Sequence, residues 1–262
     1  MEKLENISGI KENNGQLITM AENGGHHVLL KATFIPSIED LDQEWIESAS
    51  NSEFSMYHTD DRKKFLEICW APTEDRIEKY RSQDKIEIIE TPELYQKIKK
   101  KFIDKLKPIK WVNEIIEGIR EKEAIIHSSD SIVVAIDPKW KSEKVEDLHI
   151  LVFSREWIKT IRDLRYEHLD LLKEMVHTKT IVAKKYGLEL NKIRAYFHYH
   201  PSVYHLHLHL THVNSHDGYG RYFSLESIIS SIERDPDYFL TATFNYIIPR
   251  RLRPAKIVTN SI

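Results

Sequence analysis

The chain has little cysteine, no long apolar run and no strong charge of either sign, and each shortage excludes a class of protein. Its single cysteine, Cys69, cannot form an intrachain disulfide, which fits a reducing compartment. No apolar run approaches the roughly 18 to 20 residues of a membrane span, and residues 1–15 contain no signal-peptide core, so no membrane partner is expected. The formal net charge of −3 argues against electrostatic capture of long nucleic acid.

Within those limits the composition is that of a globular protein, with 41% hydrophobic and 30% charged residues in 262. A chain of this length holds one large domain or two small ones. Residues 1–60 are predicted to be rich in β-strand, with Gln16–Met20 and His26–Phe34 paired around the turn signal Asn23-Gly24-Gly25. From Trp111 onward the pattern mixes strands with helices, so the expected fold class is α+β.

Hydrophobic spacing and capping residues predict the individual elements. Strands are expected at 131–136, 148–153, 193–200, 205–213 and 240–248. Helices are expected at 73–83, after Thr91-Pro92, at 111–119, at 163–186 before Gly187, and after the cap Ser224. The lysine-rich segment Lys97–Lys110 favours a solvated helix face over a nucleic-acid patch, and it contains Lys107-Pro108-Ile109. A domain boundary is expected there, dividing the chain into residues 1–106 and 107–262.

The most informative feature of the sequence is histidine at every second position in His205-Leu206-His207-Leu208-His209. A strand points alternate side chains to the same face, so the three imidazoles should lie together on one face. Leu206, Leu208 and Leu210 should then pack on the opposite face. Buried imidazoles need hydrogen-bond partners, which makes such a row uncommon without a use. Three interpretations are open from this pattern alone: phosphate chemistry, a metal site with histidines at i and i+2, or chance histidines on a half-buried strand.

The pattern resembles the signature of the histidine-triad nucleotide hydrolases and transferases, and the residues before it narrow the resemblance. His198-Tyr199-His200-Pro201-Ser202 contains a turn signal that would pair two strands antiparallel and bring His198 near the triad. Read through Thr211, the segment resembles the extended motif of the scavenger mRNA decapping enzymes, pyrophosphatases that act on the 5′ cap of short RNA remnants. That family has Leu where this chain has His200, and Tyr where it has Val203.

The resemblance continues over the C-terminal half and implies a site for a 7-methylguanine base. Trp111 matches a tryptophan that stacks on the base, and Glu121 matches an acidic residue that hydrogen-bonds the base edge. Asp137-Pro138-Lys139-Trp140 matches a segment whose Asp recognises the base, whose next residue covers it and whose Lys approaches the phosphates. Arg221 aligns with a phosphate-contacting arginine. A methylated guanine is cationic, so an indole face and carboxylates suit its recognition.

The N-terminal half resembles the family less. Lys79-Tyr80-Arg81-Ser82-Gln83-Asp84 is similar to the family's Lys-Tyr-Leu-Arg-Gln-Asp, whose basic residues reach the substrate phosphates. Lys79 matches and is expected to bind substrate, whereas the arginine is displaced by one position to Arg81. Asn51–His58 is similar to the segment that carries a substrate-contacting Tyr, but Phe54 stands at that position, so a hydroxyl contact is lost.

The resemblance implies a mechanism centred on His207. A neutral imidazole attacks a phosphate without the repulsion that an anionic nucleophile meets. His207 would attack the phosphate next to 7-methylguanosine, and water would release 7-methylguanosine monophosphate from the phosphohistidine. His205 and His209 would orient His207 and bond the phosphate oxygens. The residues expected to neutralise charge on those oxygens are His198, Lys139, Ser202 and Arg221. This scheme requires no metal and no cofactor.

The sequence thus predicts a C-terminal histidine-triad catalytic domain and a smaller N-terminal α+β domain that acts as a lid. The resemblance implies a homodimer with exchanged N-terminal elements, located in the cytoplasm and also in the nucleus. The expected partner is a 7-methylguanosine cap dinucleotide or a short capped RNA. Three alternatives stay open: a general dinucleoside polyphosphate hydrolase of the same class, a non-catalytic cap-binding regulator, and a metal-dependent enzyme or module.

Overall fold

Contacts within the chain divide it into two compact units, Met1–Gln83 and Asp84–Ile262. The computed structural model describes residues 5–13, 16–23, 26–32, 46–50, 54–59, 65–70, 85–137, 140, 144–215, 220–250 and 252–259. Antiparallel sheets and helices make up these ranges, which confirms the α+β class. The helix predicted at 73–83 lies outside the described residues.

The first unit contains an antiparallel sheet with the strand order β1-β2-β3-β6-β5-β4. Its strands are β1 Glu5–Asn13, β2 Gln16–Asn23, β3 His26–Ala32, β4 Ile46–Ser50, β5 Phe54–His58 and β6 Phe65–Trp70. β2 and β3 pair in the register Met20 with Leu29, so the predicted hairpin partners and the β-rich character of this segment are confirmed. Val28, Leu29 and Leu30 are all buried.

The second unit is built on a larger antiparallel sheet with the order β13-β11-β12-β10-β9-β8, and on a separate two-stranded sheet of β7 and β14. The strands are β7 Lys85–Glu90, β8 Ile125–Ser128, β9 Ile132–Ile136, β10 His149–Ser154, β11 Ile193–His198, β12 His207–His212, β13 Tyr222–Ser224 and β14 Phe244–Pro249. The helices are α1 Pro92–Lys101, α2 Lys110–Ile116, α3 Leu169–Tyr186, α4 Leu225–Arg234, α5 Tyr238–Thr241 and α6 Arg253–Thr259.

Both faces of the larger sheet are covered, but by different partners. On one face the leucines of β12 and of the loop before it join the core that contains α3 and α4. On the other face β9 and β10 contribute Val133, Leu151 and Phe153 to a smaller core with Val112 and Ile115 of α2. The alternation of side chains along each strand therefore feeds two cores from one sheet.

The helix ends follow the capping residues of the sequence. Thr91 Oγ1 accepts a hydrogen bond from the backbone N–H of Leu94 at 3.3 Å, with Pro92 at the first helical position of α1. Ser224 caps α4 by accepting from the N–H of Ser227 at 3.2 Å. Gly187 adopts a φ of 66° at the end of α3, a left-handed conformation that glycine adopts without a steric penalty. All three predictions of helix ends are confirmed.

Some predicted boundaries were wrong. The helix predicted from residue 163 begins at Leu169, because two short 3-10 turns at 161–163 and 166–168 precede it. The strand predicted at 240–248 is a strand only from Phe244, since its first residues belong to α5. The larger sheet also uses less of the triad region than expected: β11 ends at His198 and β12 begins at His207.

The division between the two compact units falls after residue 83, and the domain boundary expected at 106/107 stays a prediction. A long-range strand pairing places the residues that follow this division in the second unit. β7 pairs with β14 from Lys85 opposite Pro249 to Glu90 opposite Phe244. These ladder hydrogen bonds join the start of the second unit to a strand near its end.

A buried carboxylate holds several elements of the second unit together. Glu90, at the end of β7, is fully buried and accepts hydrogen bonds from Arg162, Tyr199, His200 and Tyr246. The donor distances are 2.9 Å from Arg162 Nη2, 2.7 Å from each tyrosine hydroxyl and 2.9 Å from His200 Nε2. Burial would raise the pKa of Glu90, but hydrogen bonds from His200, Tyr199 and Tyr246 outweigh it and hold the pKa below its usual value.

Replacing Arg162 should expose the cost of this burial. Arg162→Met is expected to lower the free energy of unfolding by about 3–5 kcal/mol, because an ionised carboxylate then stays buried without its cationic partner. The matched control is Lys173→Met, which breaks an exposed 3.6 Å ion pair with Glu233 and should cost no more than about 1 kcal/mol. Denaturant unfolding measures both, and similar losses in the two variants would contradict the role given to the Arg162–Glu90 pair.

Candidate active site

The histidines lie on the same sheet face as the smaller core, beside the part that α2 covers. Leu206, Leu208 and Leu210 are buried in the opposite core, which confirms the predicted alternation. In the register of β10 and β12, Phe153 lies opposite His207 and Leu151 opposite His209. The face therefore changes from apolar side chains under α2 to imidazoles on β12.

A hydrogen bond to the backbone just before β12 holds the His207 ring in one tautomer. Its Nδ1 lies 2.7 Å from the backbone oxygen of His205. A carbonyl oxygen only accepts, so Nδ1 donates, and the neutral ring keeps its lone pair on Nε2. The Phe153 ring lies 5.8 Å from the His207 ring, tilted by 34°. This arrangement suits Nε2 of His207 to nucleophilic attack.

His205 lies in the loop before β12, not on the strand. Its Nε2 donates to the backbone oxygen of Ser154 at 2.6 Å, which ties the loop to β10. Burial lowers the pKa of His205, although this backbone hydrogen bond opposes the shift. A bond from this ring to a phosphate would need a second proton on Nδ1, which the lowered pKa opposes. The expected phosphate contact stays a prediction, while the backbone of His205 orients His207.

The His209 ring lies among four other aromatic rings, those of His149, Tyr196, His198 and His207. Its ring stacks on Tyr196 with centroids 5.4 Å apart and 8° between planes, and the His198 ring is 4.3 Å away. The predicted closeness of His198 to the triad is thus confirmed. Nδ1 of His209 lies 3.0 Å from Nε2 of His149, and Nδ1 of His149 lies 3.6 Å from a carboxylate oxygen of Asp137.

The sequence analysis missed this hydrogen-bonded pair of histidines and the carboxylate beside it. One proton lies between Nε2 of His149 and Nδ1 of His209, because two lone pairs or two N–H groups would repel at 3.0 Å. The carboxylate of Asp137 favours a proton on the other nitrogen of His149. A further proton added to this pair of histidines then appears on Nε2 of His209, whichever of the two rings carries the charge. The available signal was His149 itself, two positions before Leu151 on the neighbouring strand.

Two of the residues expected to recognise the base, Trp111 and Glu121, lie in α2 or shortly after it. Trp111 is in its first turn, 37% exposed, and meets Phe153 edge to face at 6.5 Å. Trp111, Phe153 and His207 therefore form a row of rings. Glu121 follows α2 with a φ of 54°, a left-handed conformation that costs energy in a non-glycine residue and is frequent at functional sites. Asp137 is almost fully buried at the end of β9.

The expected phosphate-binding residues lie partly within the described ranges. Ser202 is exposed on the loop between β11 and β12, and Pro201 beside it is buried. Arg221 donates from Nη1 to the backbone oxygen of His200 at 3.0 Å, and its own backbone oxygen accepts from the N–H of Tyr199 at 2.7 Å. Three expected site residues lie outside the described residues: Lys79, Pro138 and Lys139.

Two searches of the described ranges concern metals and membranes. No three His, Cys, Asp or Glu side chains in those ranges are placed to hold a metal ion, so the metal alternative has no donor set there. No helix in the same ranges combines the length and the apolar character needed to cross a membrane.

His207 and His209 on a strand of an antiparallel sheet, with His205 in the loop just before it, define a protein of the histidine-triad class. Residues 110–221 match the family model described as "Scavenger mRNA decapping enzyme C-term binding". Together with the relatives below, this match supports a scavenger mRNA decapping enzyme of the histidine-triad superfamily.

Curated relatives agree with this family. The m7GpppX diphosphatase of Ascaris suum is 36% identical over 190 residues, which cover 68% of this chain and 63% of that protein. The m7GpppX diphosphatase of Caenorhabditis elegans is 28% identical over 268 residues, covering 93% of this chain and 86% of that protein. The chain thus matches a little under two thirds of the length of the Ascaris protein. A solved structure of the aprataxin ortholog Hnt3 from Schizosaccharomyces pombe aligns with 38% of this chain and 56% of that chain, at 21% identity and a TM-score of 0.31.

Proposed function

We propose that the chain is a scavenger mRNA decapping pyrophosphatase. It hydrolyses the residual 7-methylguanosine cap, as a cap dinucleotide or on short RNA, to 7-methyl-GMP and a diphosphate-ended nucleotide. The observation that carries this proposal is the 2.7 Å hydrogen bond from Nδ1 of His207 to a backbone oxygen, which places the proton of the neutral ring on Nδ1 and its lone pair on Nε2. The name m7GpppX diphosphatase, borne by the relatives, supports the same reaction.

The reaction proceeds in two displacements at one phosphorus. Nε2 of His207 bonds to the phosphorus next to 7-methylguanosine, and the bond from that phosphorus to the bridging oxygen breaks, releasing the diphosphate-ended nucleotide. Water then attacks the phosphohistidine and releases 7-methyl-GMP. Forming the N–P bond makes the ring cationic, which strengthens the hydrogen bond from Nδ1 to the His205 oxygen.

Nε2 of His209 donates a hydrogen bond to the phosphate oxygens when the pair of His149 and His209, beside Asp137, carries an extra proton. The other residues assigned to the phosphates are His198, Ser202, Arg221, Lys139 and Lys79. The base stacks on Trp111, and carboxylates of Glu121 and Asp137 accept hydrogen bonds from its edge. Pro138 covers the opposite face of the base. No metal or cofactor takes part in this scheme.

The second candidate is a general dinucleoside polyphosphate hydrolase, because the same histidines serve any phosphoanhydride. The exposed indole of Trp111 at the start of α2 and the strained Glu121 after its end favour the methylated cap over that alternative. A non-catalytic cap-binding regulator is less favoured, since it has no need of a His207 ring held with its nucleophilic nitrogen unprotonated.

His207→Asn is expected to abolish hydrolysis of a methylated cap dinucleotide while binding of the cap persists, because the variant removes the nucleophile alone. Product analysis by chromatography measures the first effect and fluorescence titration the second. The control is His177→Asn, an exposed histidine on α3 behind the sheet, which should retain the wild-type rate. More than a few per cent of activity in His207→Asn would refute the assignment. EDTA should leave the wild-type rate nearly unchanged.

Trp111→Ala should weaken binding of a 7-methylguanine cap more than binding of an unmethylated cap. The reason is that cation–π attraction, about 0.5–2 kcal/mol, acts only on the cationic base. Glu121→Ala is expected to show the same selectivity, and calorimetric Kd values for both ligands measure it.

The matched control for the indole is Trp157→Ala, since Trp157 is also 37% exposed and donates from its ring to the Tyr204 oxygen at 3.3 Å. This variant should change the two affinities by the same factor. Equal losses for both ligands in Trp111→Ala would instead mean that the indole is structural.

We also propose, on the family resemblance, a homodimer in the cytoplasm and the nucleus whose N-terminal domains close over the sites. Lys79 lies in that N-terminal part, so its side chain reaches the phosphates only on closure. Light scattering should give a mass near twice 31.0 kDa, and cleavage should fall as the RNA lengthens. A monomer that cleaves long and short capped RNA equally well would contradict both ideas.

A further inference from the structure

The loop between β11 and β12 carries Ser202 and His205 and contacts Arg221, three of the residues assigned to the proposed reaction. Ser202 is exposed on it, and the backbone oxygen of His200 accepts from Arg221 Nη1 at 3.0 Å. The loop ends at His205, whose backbone oxygen accepts from Nδ1 of His207 at 2.7 Å. A shift of this loop would therefore move the nucleophile's hydrogen-bond partner and Arg221 together.

Side chains of the same loop are anchored on Glu90, which lies 110 residues before His200 in the sequence. Tyr199 donates its hydroxyl to Oε1 of Glu90 at 2.7 Å, and His200 donates from Nε2 to Oε2 at 2.9 Å. The Tyr204 hydroxyl lies 3.3 Å from Nδ1 of His200. Tyr199 and His200 are fully buried and Tyr204 nearly so.

The protonation of His200 is consistent with these partners. Burial lowers the pKa of His200 and outweighs the hydrogen bond to Glu90 and the charge of Glu90, which raise it. The net lowering favours a neutral ring. A neutral ring that donates from Nε2 to a carboxylate keeps a lone pair on Nδ1, and this lone pair accepts the Tyr204 hydroxyl. The histidine thus joins the two ends of the loop, from Tyr199 to Tyr204. The leucine of the related enzymes at this position has no polar atoms with which to make either bond.

We propose that Glu90 and His200 are positioning residues of the active site, which fix the loop so that the His205 oxygen and Arg221 meet His207 and the phosphate correctly. The proposal rests on the function proposed above. It assigns a catalytic consequence to a cluster that otherwise serves only folding. Neither residue touches substrate, and both act through the backbone of the loop.

Two tyrosines on the same carboxylate separate positioning from stability. Tyr199 and Tyr246 each donate a hydroxyl to Glu90 at 2.7 Å and both are buried, but Tyr246 belongs to β14 and Tyr199 to the loop. Tyr199→Phe and Tyr246→Phe should therefore lower the free energy of unfolding by similar amounts. Tyr199→Phe alone should lower kcat on the methylated cap dinucleotide, by about 10- to 100-fold, as expected for a small misplacement of reacting groups.

A second pair of variants repeats the comparison at His200. His200→Leu removes both hydrogen bonds of the ring and should lower kcat in the same way. His200→Gln keeps a side-chain N–H able to reach Oε2 of Glu90 and should recover most of the activity. If one tyrosine variant fails to fold, this pair still tests the proposal.

A readout without substrate keeps the proposal distinct from the proposed function. The hydrogen-bonded Nδ1–H of His207 should give a protected imidazole signal in nitrogen-15 NMR of the wild type and of Tyr246→Phe. That signal should shift or broaden in Tyr199→Phe and His200→Leu. Failure of the wild type to cleave the cap would sink the proposed function alone. Equal kcat and an unchanged His207 signal in Tyr199→Phe and Tyr246→Phe would overturn the positioning role.

Discussion

The carboxylate of Glu90 is the point at which β7, β14, the 3-10 turn before α3 and the loop before β12 meet. An ionised carboxylate removed from water costs several kcal/mol, and only well-placed charged and hydrogen-bonding partners offset that cost. Here the partners are Arg162, Tyr199, His200 and Tyr246, which come from three different parts of the chain. The carboxylate therefore tolerates only arrangements in which those segments are all in place. Arg162 extends the constraint by donating to the backbone oxygens of Phe239 and Ala242.

The larger sheet turns this scaffold into a site because its two faces carry different chemistry. The leucines behind β12 fill a core that α3 closes, which makes the strand rigid. On the other face α2 covers only the apolar part, next to the imidazoles of β12. The row from Trp111 through Phe153 to His207 follows from that partial cover. In the proposed function the base lies on the indole and the phosphate at the imidazole.

The three triad histidines have three separate tasks although they share one sequence pattern. The His205 ring ties its loop to β10, and its backbone oxygen fixes the tautomer of His207. His207 presents an unprotonated nitrogen. His209 shares a hydrogen bond with His149, whose other ring nitrogen lies near the carboxylate of Asp137. The differences come from the partners of each ring nitrogen, since imidazole donates or accepts according to what it faces.

Local pattern alone determined much of this protein. Runs rich in Ile, Val and Leu predicted β9 and β10, and period-two alternation predicted the leucines behind the triad. Capping residues predicted the ends of α1, α3 and α4, because these signals act within a few residues. The tertiary structure decided what depends on distant partners. The pairing of β7 with β14 places β7 in the second unit. The hydrogen bonds to buried Glu90 bring donors from distant parts of the sequence together. The bond between His149 and His209 likewise joins residues 60 apart. No local periodicity specifies which distant strand a segment will join, so these features appear only when the chain is folded.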